Sequence, residues 1–256
     1  MRYALKVQYI GKNYAGSQIQ FENGELISLP TIQGELEKAI WTLIGGKSAK
    51  QYKRQVKTVF SGRTDSGVNS LGQVVHFDSE QTFVASRFVY SLNEVLPKDI
   101  SVSDFKEVDK SFHALESAKW RTYRYEFINR KCKNAFDGDL ERIKYDIDIS
   151  RMNKSLAYVI GEHDFSAFKS SGTLNPSKIC LIQSATAEKV EDKVVITFKG
   201  NRFLYNMVRT LVGTLLDIEG HNLEPEHMKM VIDSCDRSKA GRCVSPYGLT
   251  LMKVEY

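Results

Sequence analysis

Segments with the apolar–polar alternation of a strand and segments with the apolar spacing of a helix follow one another along this chain. Their order constrains the fold more than any other feature of the sequence. Residues 3–10 alternate apolar and polar side chains, which is typical of a half-buried strand. Thr31 can then cap a helix whose apolar positions follow a helical spacing up to Gly45. The remaining elements predicted in this half are a strand at 73–78, a helix at 86–96 and an extended segment at 100–108.

The second half of the chain repeats this alternation of strands and helices loosely. The predicted elements are a strand at 119–128, a helix at 150–160, a hairpin with strands at 180–190 and 193–199, a long helix at 202–218, a helix beginning at Pro225, and a strand at 249–255. Strands, hairpins and helices mixed in this way predict an α+β fold built from two halves. We expect the halves to cover residues 1–108 and 109–256 and to share one sheet.

Composition places the chain among ordinary globular proteins. Its 256 residues are 42% hydrophobic and 26% charged, which is enough apolar material for a sizeable core. No apolar run approaches the 18 residues of a membrane span, and polar residues interrupt the first nine positions, so we expect no signal peptide. The four cysteines contain no C-x-x-C pair. They predict reduced thiols in a cytoplasmic protein.

The net charge of +5 is concentrated in two acid-poor clusters. The first cluster consists of Lys47, Lys50, Lys53, Arg54, Lys57 and Arg63, and the second of Lys119, Arg121, Arg124, Arg130, Lys131 and Lys133. Aromatic residues are interleaved with both, a mixture that suits RNA because cations neutralise phosphates and rings stack on unpaired bases. The alternative is a solvated basic loop followed by a strand with an aromatic core face. Taken alone, the pattern favours this alternative.

The segment Ser61-Gly62-Arg63-Thr64-Asp65-Ser66-Gly67 is the sharpest local motif. Its glycines permit a tight turn and close approach of a ligand to the backbone. Arg63 would favour the ionised form of Asp65, as a carboxylate nucleophile requires. The same residues are also ordinary turn formers, and spacing alone favours a surface turn.

The predicted long helix has a charge within an aliphatic sequence. Seven aliphatic positions between Leu204 and Leu216 surround most of the helix, which predicts burial, yet Arg209 lies among them. A buried guanidinium needs an anionic partner, and Asp65 is the candidate. Alternatively, the side chain of Arg209 reaches the surface. The sequence leaves both interpretations open.

These motifs together resemble the tRNA pseudouridine synthase A family. The segment 62–68 is closely similar to the family signature around its catalytic aspartate. Further similar segments occur in order along nearly the whole chain, at 31–37, 72–77, 92–97, 112–114, 121–125, 163–168, 200–209 and 246–251. Each match is short, and their common order and spacing make the resemblance specific.

The resemblance implies a pseudouridine synthase fold, with two ferredoxin-like halves forming a mixed, mostly antiparallel sheet around a central cleft. It implies isomerisation of uridine to pseudouridine at positions 38–40 of the tRNA anticodon arm by a cytoplasmic homodimer, without metal or cofactor. Asp65 matches the nucleophile, Tyr123 the ring that packs on the uracil, Arg209 the basic partner of the aspartate, and Arg63 the arginine that helps to hold the flipped nucleotide. The cations predicted to contact the RNA are Lys50, Lys53, Arg54, Lys57, Arg121 and Arg124.

The chain departs from the family pattern at a few positions. Residues 66–70 read Ser-Gly-Val-Asn-Ser where Ala-Gly-Val-His-Ala is common, and Ser17 replaces a usual Trp. Leu115 and Glu116 stand where Arg-Phe is favoured. Three hypotheses follow. The chain is an active tRNA pseudouridine synthase, a non-catalytic RNA-binding homologue, or a synthase with a shifted RNA target.

Overall fold

The chain folds into two compact units. The structure, a computed structural model, describes residues 1–22, 25–26, 29–45, 55–170 and 177–256. The first unit comprises residues 1–119 and 251–256, and the second comprises residues 120–250. The division therefore follows residue 119, whereas the sequence predicts it after residue 108.

The segment 109–119 belongs to the first unit because its backbone is bonded there. The guanidinium of Arg2 donates hydrogen bonds of 2.8 Å to the carbonyls of both Lys110 and Phe112. The N–H of Ala114 donates to Nδ1 of His76 at 3.0 Å. The N–H of Lys119 donates to the carbonyl of Glu255 at 2.7 Å, which ties the returning segment 251–256 to the same unit.

The first unit contains all five strands and helices predicted for the first half. Its elements are β1 (Arg2–Tyr9), β2 (Phe21–Glu22), β3 (Glu25–Leu26), α1 (Ile32–Leu43), β4 (Thr58–Phe60), β5 (Asn69–Asp78), α2 (Ala85–Val95) and β6 (Ile100–Val108). Thr31 caps α1 as predicted, because its hydroxyl oxygen accepts a hydrogen bond from the N–H of Gly34. The strands β2, β3 and β4 were not predicted.

The strand order of this unit is ferredoxin-like, as the resemblance implies. β1 lies between β5 and β6 and is antiparallel to both. β4 pairs antiparallel with the C-terminal half of β5. The element sequence β1-α1-β4-β5-α2-β6 with the strand order β6-β1-β5-β4 is the βαββαβ pattern. The C-terminal strand β12 (Leu249–Glu255) also borders β5.

An aromatic cluster fills the core of the first unit. Tyr3, Phe77, Phe83, Phe88 and Phe105 lie together, and the ring centroids of Phe88 and Phe105 are 4.5 Å apart. Such rings bury large apolar areas and dominate the energetics of a core. The cluster joins β1, β5, α2 and β6, so the register of these strands is set by which side chains reach it.

The second unit also follows the predicted order of elements. Its elements are β7 (Trp120–Asn129), β8 (Arg142–Ile143), α3 (Ile149–Ala157), β9 (Gly161–Asp164), β10 (Ile179–Val190), β11 (Lys193–Gly200), α4 (Met207–Gly220) and α5 (His227–Ser234). β7, β11, β10 and β9 pair antiparallel in this order, and β8 pairs parallel with β7. The prediction of an α+β fold with mixed, mostly antiparallel strands is confirmed.

Two helix boundaries in this unit differ from the sequence prediction by three residues or more. α4 begins at Met207 rather than near residue 202, because Asn206 has a left-handed backbone (φ 62°) that cannot be part of a helix. α3 ends at Ala157 rather than at residue 160. The hairpin of β10 and β11 is confirmed and turns at Glu191, whose φ is 54°. Within the described ranges, no helix is long and apolar enough to cross a membrane.

Buried His76 makes the stability of the first unit depend on pH. The side chain is 3% exposed, and its Nδ1 accepts a hydrogen bond from Ala114, which requires an unprotonated ring nitrogen. Burial, followed by the charges of Arg2 and His113, lowers the pKa of His76 from 6.5 to about 4. Below pH 6.5 the unfolded chain therefore binds a proton that the folded chain does not, so stability falls as the pH decreases towards 4.

We expect His76→Asn to remove this part of the pH dependence, because an Asn oxygen can accept the same bond without titrating. The measurement is the free energy of unfolding in urea between pH 4.5 and 8. The wild-type curve should be flat above about pH 7 and should fall more steeply below it than the variant's curve. Parallel curves would show that His76 does not titrate in this way.

Candidate active site

Asp65 lies in the loop that joins β4 to β5. Its side chain is half-buried, whereas that of Arg63 is exposed. The N–H of Val68 donates to the carbonyl of Asp65 at 3.1 Å, which closes a turn. Gly67 within this turn has a φ of +81°, a conformation that favours glycine. The local structure is therefore the tight turn predicted from the motif, with its carboxylate partly sheltered.

A network of buried polar side chains and backbone groups fixes the loop between β4 and β5. The hydroxyls of Tyr9 and Thr64 share a hydrogen bond of 2.7 Å. The amide of Gln73 donates to the carbonyl of Gly62 at 2.9 Å, and the hydroxyl of Ser61 donates to the side-chain oxygen of Gln73. Burial raises the pKa of Tyr9, so its hydroxyl stays protonated. A satisfied buried network of this kind rigidifies the backbone around it.

The sequence does not single out Tyr9 or Gln73 as functional residues. Gln73 lies in the segment 72–77, which resembles the family, but the hydroxyl partner of Tyr9 lies far along the chain. Tyr9 and Thr64 are separated by 55 residues and meet only because β1 pairs with β5. Only a prediction of that strand pairing could have identified the network.

Tyr123 lies on β7 in the second unit, on the same strand face as Arg121. β7 pairs with β11 so that Tyr123 is opposite Phe198 and Arg121 is opposite Gly200. The ring of Tyr123 meets Phe203 edge-on, with centroids 5.1 Å apart and planes at 81°. The tyrosine side chain is half-buried. The edge contact fixes the orientation of a ring that is one of the predicted base-stacking groups.

Arg209 lies in the first turn of α4, and its guanidinium is anchored within the second unit. Its Nε donates to the carbonyl of Val244 at 2.8 Å, and Nη1 donates to the side-chain oxygen of Asn206 at 2.8 Å. Its aliphatic neighbours Val208, Leu211 and Leu215 are buried, as the pattern predicts, while Arg209 itself is half-buried. Two acceptors thus orient this guanidinium at the start of a buried helix.

Asn206 is a second positioning group that the sequence analysis missed. Its side-chain oxygen accepts from Arg209, and its side-chain nitrogen donates to the hydroxyl of Ser170 at 3.0 Å. Its left-handed backbone is one that Asn tolerates better than most residues. The signal available in the sequence was a polar Asn within the apolar segment before Arg209.

The predicted RNA-binding cations differ in their surroundings. Lys50, Lys53 and Arg54 lie outside the described residues, and Lys57 is exposed. The guanidinium of Arg121 donates to the carbonyl of Asn201 at 2.7 Å. Arg124 lies on the other face of β7 and forms an ion pair of 2.9 Å with Glu126. Arg130 pairs with Asp137 and Asp192. Part of the second cluster is therefore compensated locally rather than forming an uninterrupted basic surface.

None of the four cysteines, all of which lie within the described residues, forms a disulfide. Within the same residues, no group of three or more His, Cys, Asp or Glu side chains is arranged to hold a metal ion. The first unit supplies the half-buried carboxylate of Asp65, and a carboxylate can act as a nucleophile. The second unit supplies the ring of Tyr123, a type of group on which a base can stack, and the oriented guanidinium groups of Arg121 and Arg209.

Comparison with known proteins identifies relatives over the whole chain. A family model described as tRNA pseudouridine synthase matches residues 156–256. The chain is 39% identical over 253 residues to the tRNA pseudouridine synthase A of Caldicellulosiruptor saccharolyticus, with 98% of each chain covered. It is 38% identical over 256 residues to the protein of the same name from Buchnera aphidicola, covering 100% of this chain and 92% of the relative.

A third relative and a solved structure are also similar to this chain. The tRNA pseudouridine synthase A of Brevibacillus brevis is 34% identical over 249 residues, covering 97% of this chain and 96% of the relative. The crystal structure of the archaeal box H/ACA sRNP Nop10-Cbf5 complex covers 84% of this chain and 43% of that chain, at 10% identity and a TM-score of 0.37, which is too low to bear on the fold. The full-length identities show that the chain belongs to the tRNA pseudouridine synthase A family of enzymes.

Proposed function

We propose that this chain isomerises uridine to pseudouridine at positions 38–40 of the tRNA anticodon arm, with Asp65 as the nucleophile. The observation that carries the proposal is 39% identity to a tRNA pseudouridine synthase A across 98% of the chain. Within that span lies the Gly62–Val68 motif that resembles the family's catalytic signature. The reaction breaks the bond from the sugar to N1 of uracil and forms a bond from the sugar to C5. N1 gains a proton, and the hydrogen on C5 is released.

Asp65 has surroundings suited to this role. Its loop is tied to the strands on either side by the network of Tyr9, Thr64 and Gln73. Its side chain is half-buried, so it combines shelter with access. A uridine must leave its stack before a protein group can reach its glycosidic bond, at a cost of a few kcal/mol. A carboxylate on a rigid loop can then meet it without further rearrangement of the protein.

Tyr123 and Arg209 are the proposed groups that receive the flipped nucleotide. Stacking of the uracil on Tyr123 would return roughly 1–3 kcal/mol of the flipping cost. The edge contact with Phe203 supports a fixed ring orientation for this stacking. Arg209 is proposed as the basic partner of Asp65. Its positive charge would favour the ionised form of the Asp65 carboxyl group. Its bonds to Val244 and Asn206 would keep the guanidinium oriented for that role.

The remaining cations are proposed to bind the phosphate backbone. Arg63 and Lys57 are exposed, and Arg63 is proposed to help hold the flipped nucleotide. Lys50, Lys53, Arg54, Arg121 and Arg124 are proposed to contact the tRNA, with Arg121 on the strand face of Tyr123 and Arg124 on the opposite face. We also propose a cytoplasmic homodimer, which the resemblance to the family supports.

We expect the purified chain alone to form pseudouridine in a transcript tRNA that carries uridines at positions 38–40. The transcript is labelled with tritium at C5 of uridine, because that hydrogen is released when the base rejoins through C5. The positions modified are then mapped by primer extension after carbodiimide treatment. A matched transcript with cytidines at 38–40 should release no tritium.

The alternatives give different results in the same assay. A non-catalytic RNA-binding homologue would bind the transcript and release no tritium. A synthase with a shifted target would release tritium equally from both transcripts. Either result would contradict the proposed function.

A further inference from the structure

We propose that Ser17 is a positioning residue that fixes the peptide preceding Asp65. The inference rests on the proposed function, because it takes Asp65 to be the reacting group. Ser17 occupies one of the positions where the chain departs from the family pattern. Its side chain is fully buried, with 0% exposure.

Ser17 bonds to Thr64 through both its backbone and its side chain. The N–H of Ser17 donates to the carbonyl of Thr64 at 3.0 Å. The N–H of Thr64 donates to the hydroxyl oxygen of Ser17 at 2.8 Å, and the same hydroxyl donates to the carbonyl of Thr64 at 3.4 Å. The carbonyl of Thr64 belongs to the peptide that ends at the nitrogen of Asp65. The orientation of that peptide plane is therefore held by Ser17.

Side chains at two further departures from the family pattern also connect residues 9–17 to the loop that carries Asp65. The hydroxyl of Ser66 donates to the carbonyl of Tyr14 at 2.9 Å. The side-chain oxygen of Asn69 accepts from the N–H of Gly11 at 2.9 Å. Residues 9–17 and the loop 61–70 are thus joined by hydrogen bonds on both sides of Asp65. In this chain, three polar side chains at these departures brace the loop.

The backbone of the two segments lies too close for larger residues. A Cβ on Gly11 would come within 2.1 Å of the carbonyl oxygen of Val68. Gly16 has a φ of +119°, and a Cβ there would lie 2.9 Å from the carbonyl oxygen of Thr64. Because the two segments are in such close contact, the position of Asp65 depends on the position of residues 16–17. Displacing a reacting group by about 1 Å can cost two orders of magnitude in rate.

The hydroxyl of Ser17 can be tested with variants that differ by single atoms. Ser17→Ala removes the oxygen and leaves the N–H of Thr64, a residue 6% exposed, without its side-chain acceptor. Ser17→Cys keeps a side chain of similar shape with a weaker acceptor. Ser155→Ala is the matched control, since Ser155 is also 0% exposed and its hydroxyl bonds to Arg151 within a helix of the second unit.

We expect Ser17→Ala to lower kcat for pseudouridine formation roughly 10- to 100-fold while KM for tRNA changes less than about threefold. Ser17→Cys should give an intermediate kcat, and Ser155→Ala should keep the wild-type kcat. The melting temperatures of Ser17→Ala and Ser155→Ala should fall by similar amounts. If Ser17→Ala does not fold, the reduced kcat of Ser17→Cys remains the decisive measurement.

The inference is overturned if either Ser17 variant folds and keeps the wild-type kcat, or if only KM or the melting temperature changes. A parallel assay of Asp65→Asn separates this outcome from a failure of the proposed function. Loss of activity in Asp65→Asn together with a wild-type kcat in Ser17→Ala would reject the positioning role alone. Retention of activity in Asp65→Asn, or an inactive wild-type chain, would reject the proposed function and with it this inference.

Discussion

Asp65→Asn is expected to lower the rate of pseudouridine formation by a factor on the order of 10⁴ or more, as removal of a principal catalytic group does in other enzymes. An amide has nearly the size and shape of the carboxylate but is a poor nucleophile. The turn that carries Asp65 is closed by its backbone carbonyl and Val68, and the loop is held by Tyr9, Thr64 and Gln73. These bonds persist in the variant, so the fold should be retained.

The measurement is single-turnover tritium release from the labelled tRNA, with the Kd for tRNA determined separately. Binding should change by less than about tenfold, because phosphate contacts supply most of the affinity for a nucleic acid. Asp78→Asn is the matched control, since it removes a carboxylate of the same unit that is 63% exposed and paired with Arg2. Wild-type turnover by Asp65→Asn, or an equal loss in Asp78→Asn, would contradict the nucleophile assignment.

Gly213→Ala is expected to destabilise the second unit by about 3 kcal/mol, the upper part of the usual range for overpacking. Gly213 lies within α4, where the exchange of Gly for Ala usually stabilises a helix by about 1 kcal/mol. Here a Cβ would lie 1.8 Å from the carbonyl oxygen of Arg242, which is a backbone atom. The segment beside α4 is fixed by a bond of 2.9 Å from the N–H of Gly241 to Thr214. The clash should therefore outweigh the gain in helix propensity.

The loss of stability is measured as the free energy of unfolding in urea, with circular dichroism as the signal. Gly62→Ala is the control. A Cβ on Gly62 would meet none of the described atoms within 4 Å, so that variant should stay within about 0.5 kcal/mol of the wild type. A Gly213→Ala variant as stable as the wild type would show that α4 and the segment around Arg242 can separate without cost.

Periodic patterns in the sequence predict the longer elements well, because each pattern reports burial on one face. The alternation in residues 3–10 locates β1, and the hairpin predicted at 180–190 and 193–199 matches β10 and β11 closely. β4 and β9 contain three and four residues, which is too short for an alternation to be distinguished from chance. The early start predicted for α4 arose because Leu204 continues its apolar pattern although Asn206 interrupts the helix.

The residues of the candidate site could likewise be predicted only where a local sequence pattern marks them. Asp65, Tyr123 and Arg209 could be selected from the sequence because they lie in motifs that resemble a family. The groups that hold them could not, because their bonds depend on tertiary structure. Thr64 meets Tyr9 through strand pairing, and Arg209 meets Val244 across 35 residues of chain. The departure at Ser17 was visible in the sequence, but its bonds to Thr64 required the structure.

The first unit is discontinuous in sequence, and this has a consequence for how the chain is made. Residues 251–256 belong to it, where the carbonyl of Leu251 accepts from the hydroxyl of Ser70 and the hydroxyl of Tyr256 donates to the carbonyl of Ala114. During synthesis, residues 1–119 emerge from the ribosome long before this strand exists. At about 5–20 residues per second, the border of β5 that β12 occupies stays uncovered for roughly 7–26 seconds. An unpaired strand edge of this kind can pair with other chains, so nascent chains of this protein are most vulnerable to aggregation in that interval.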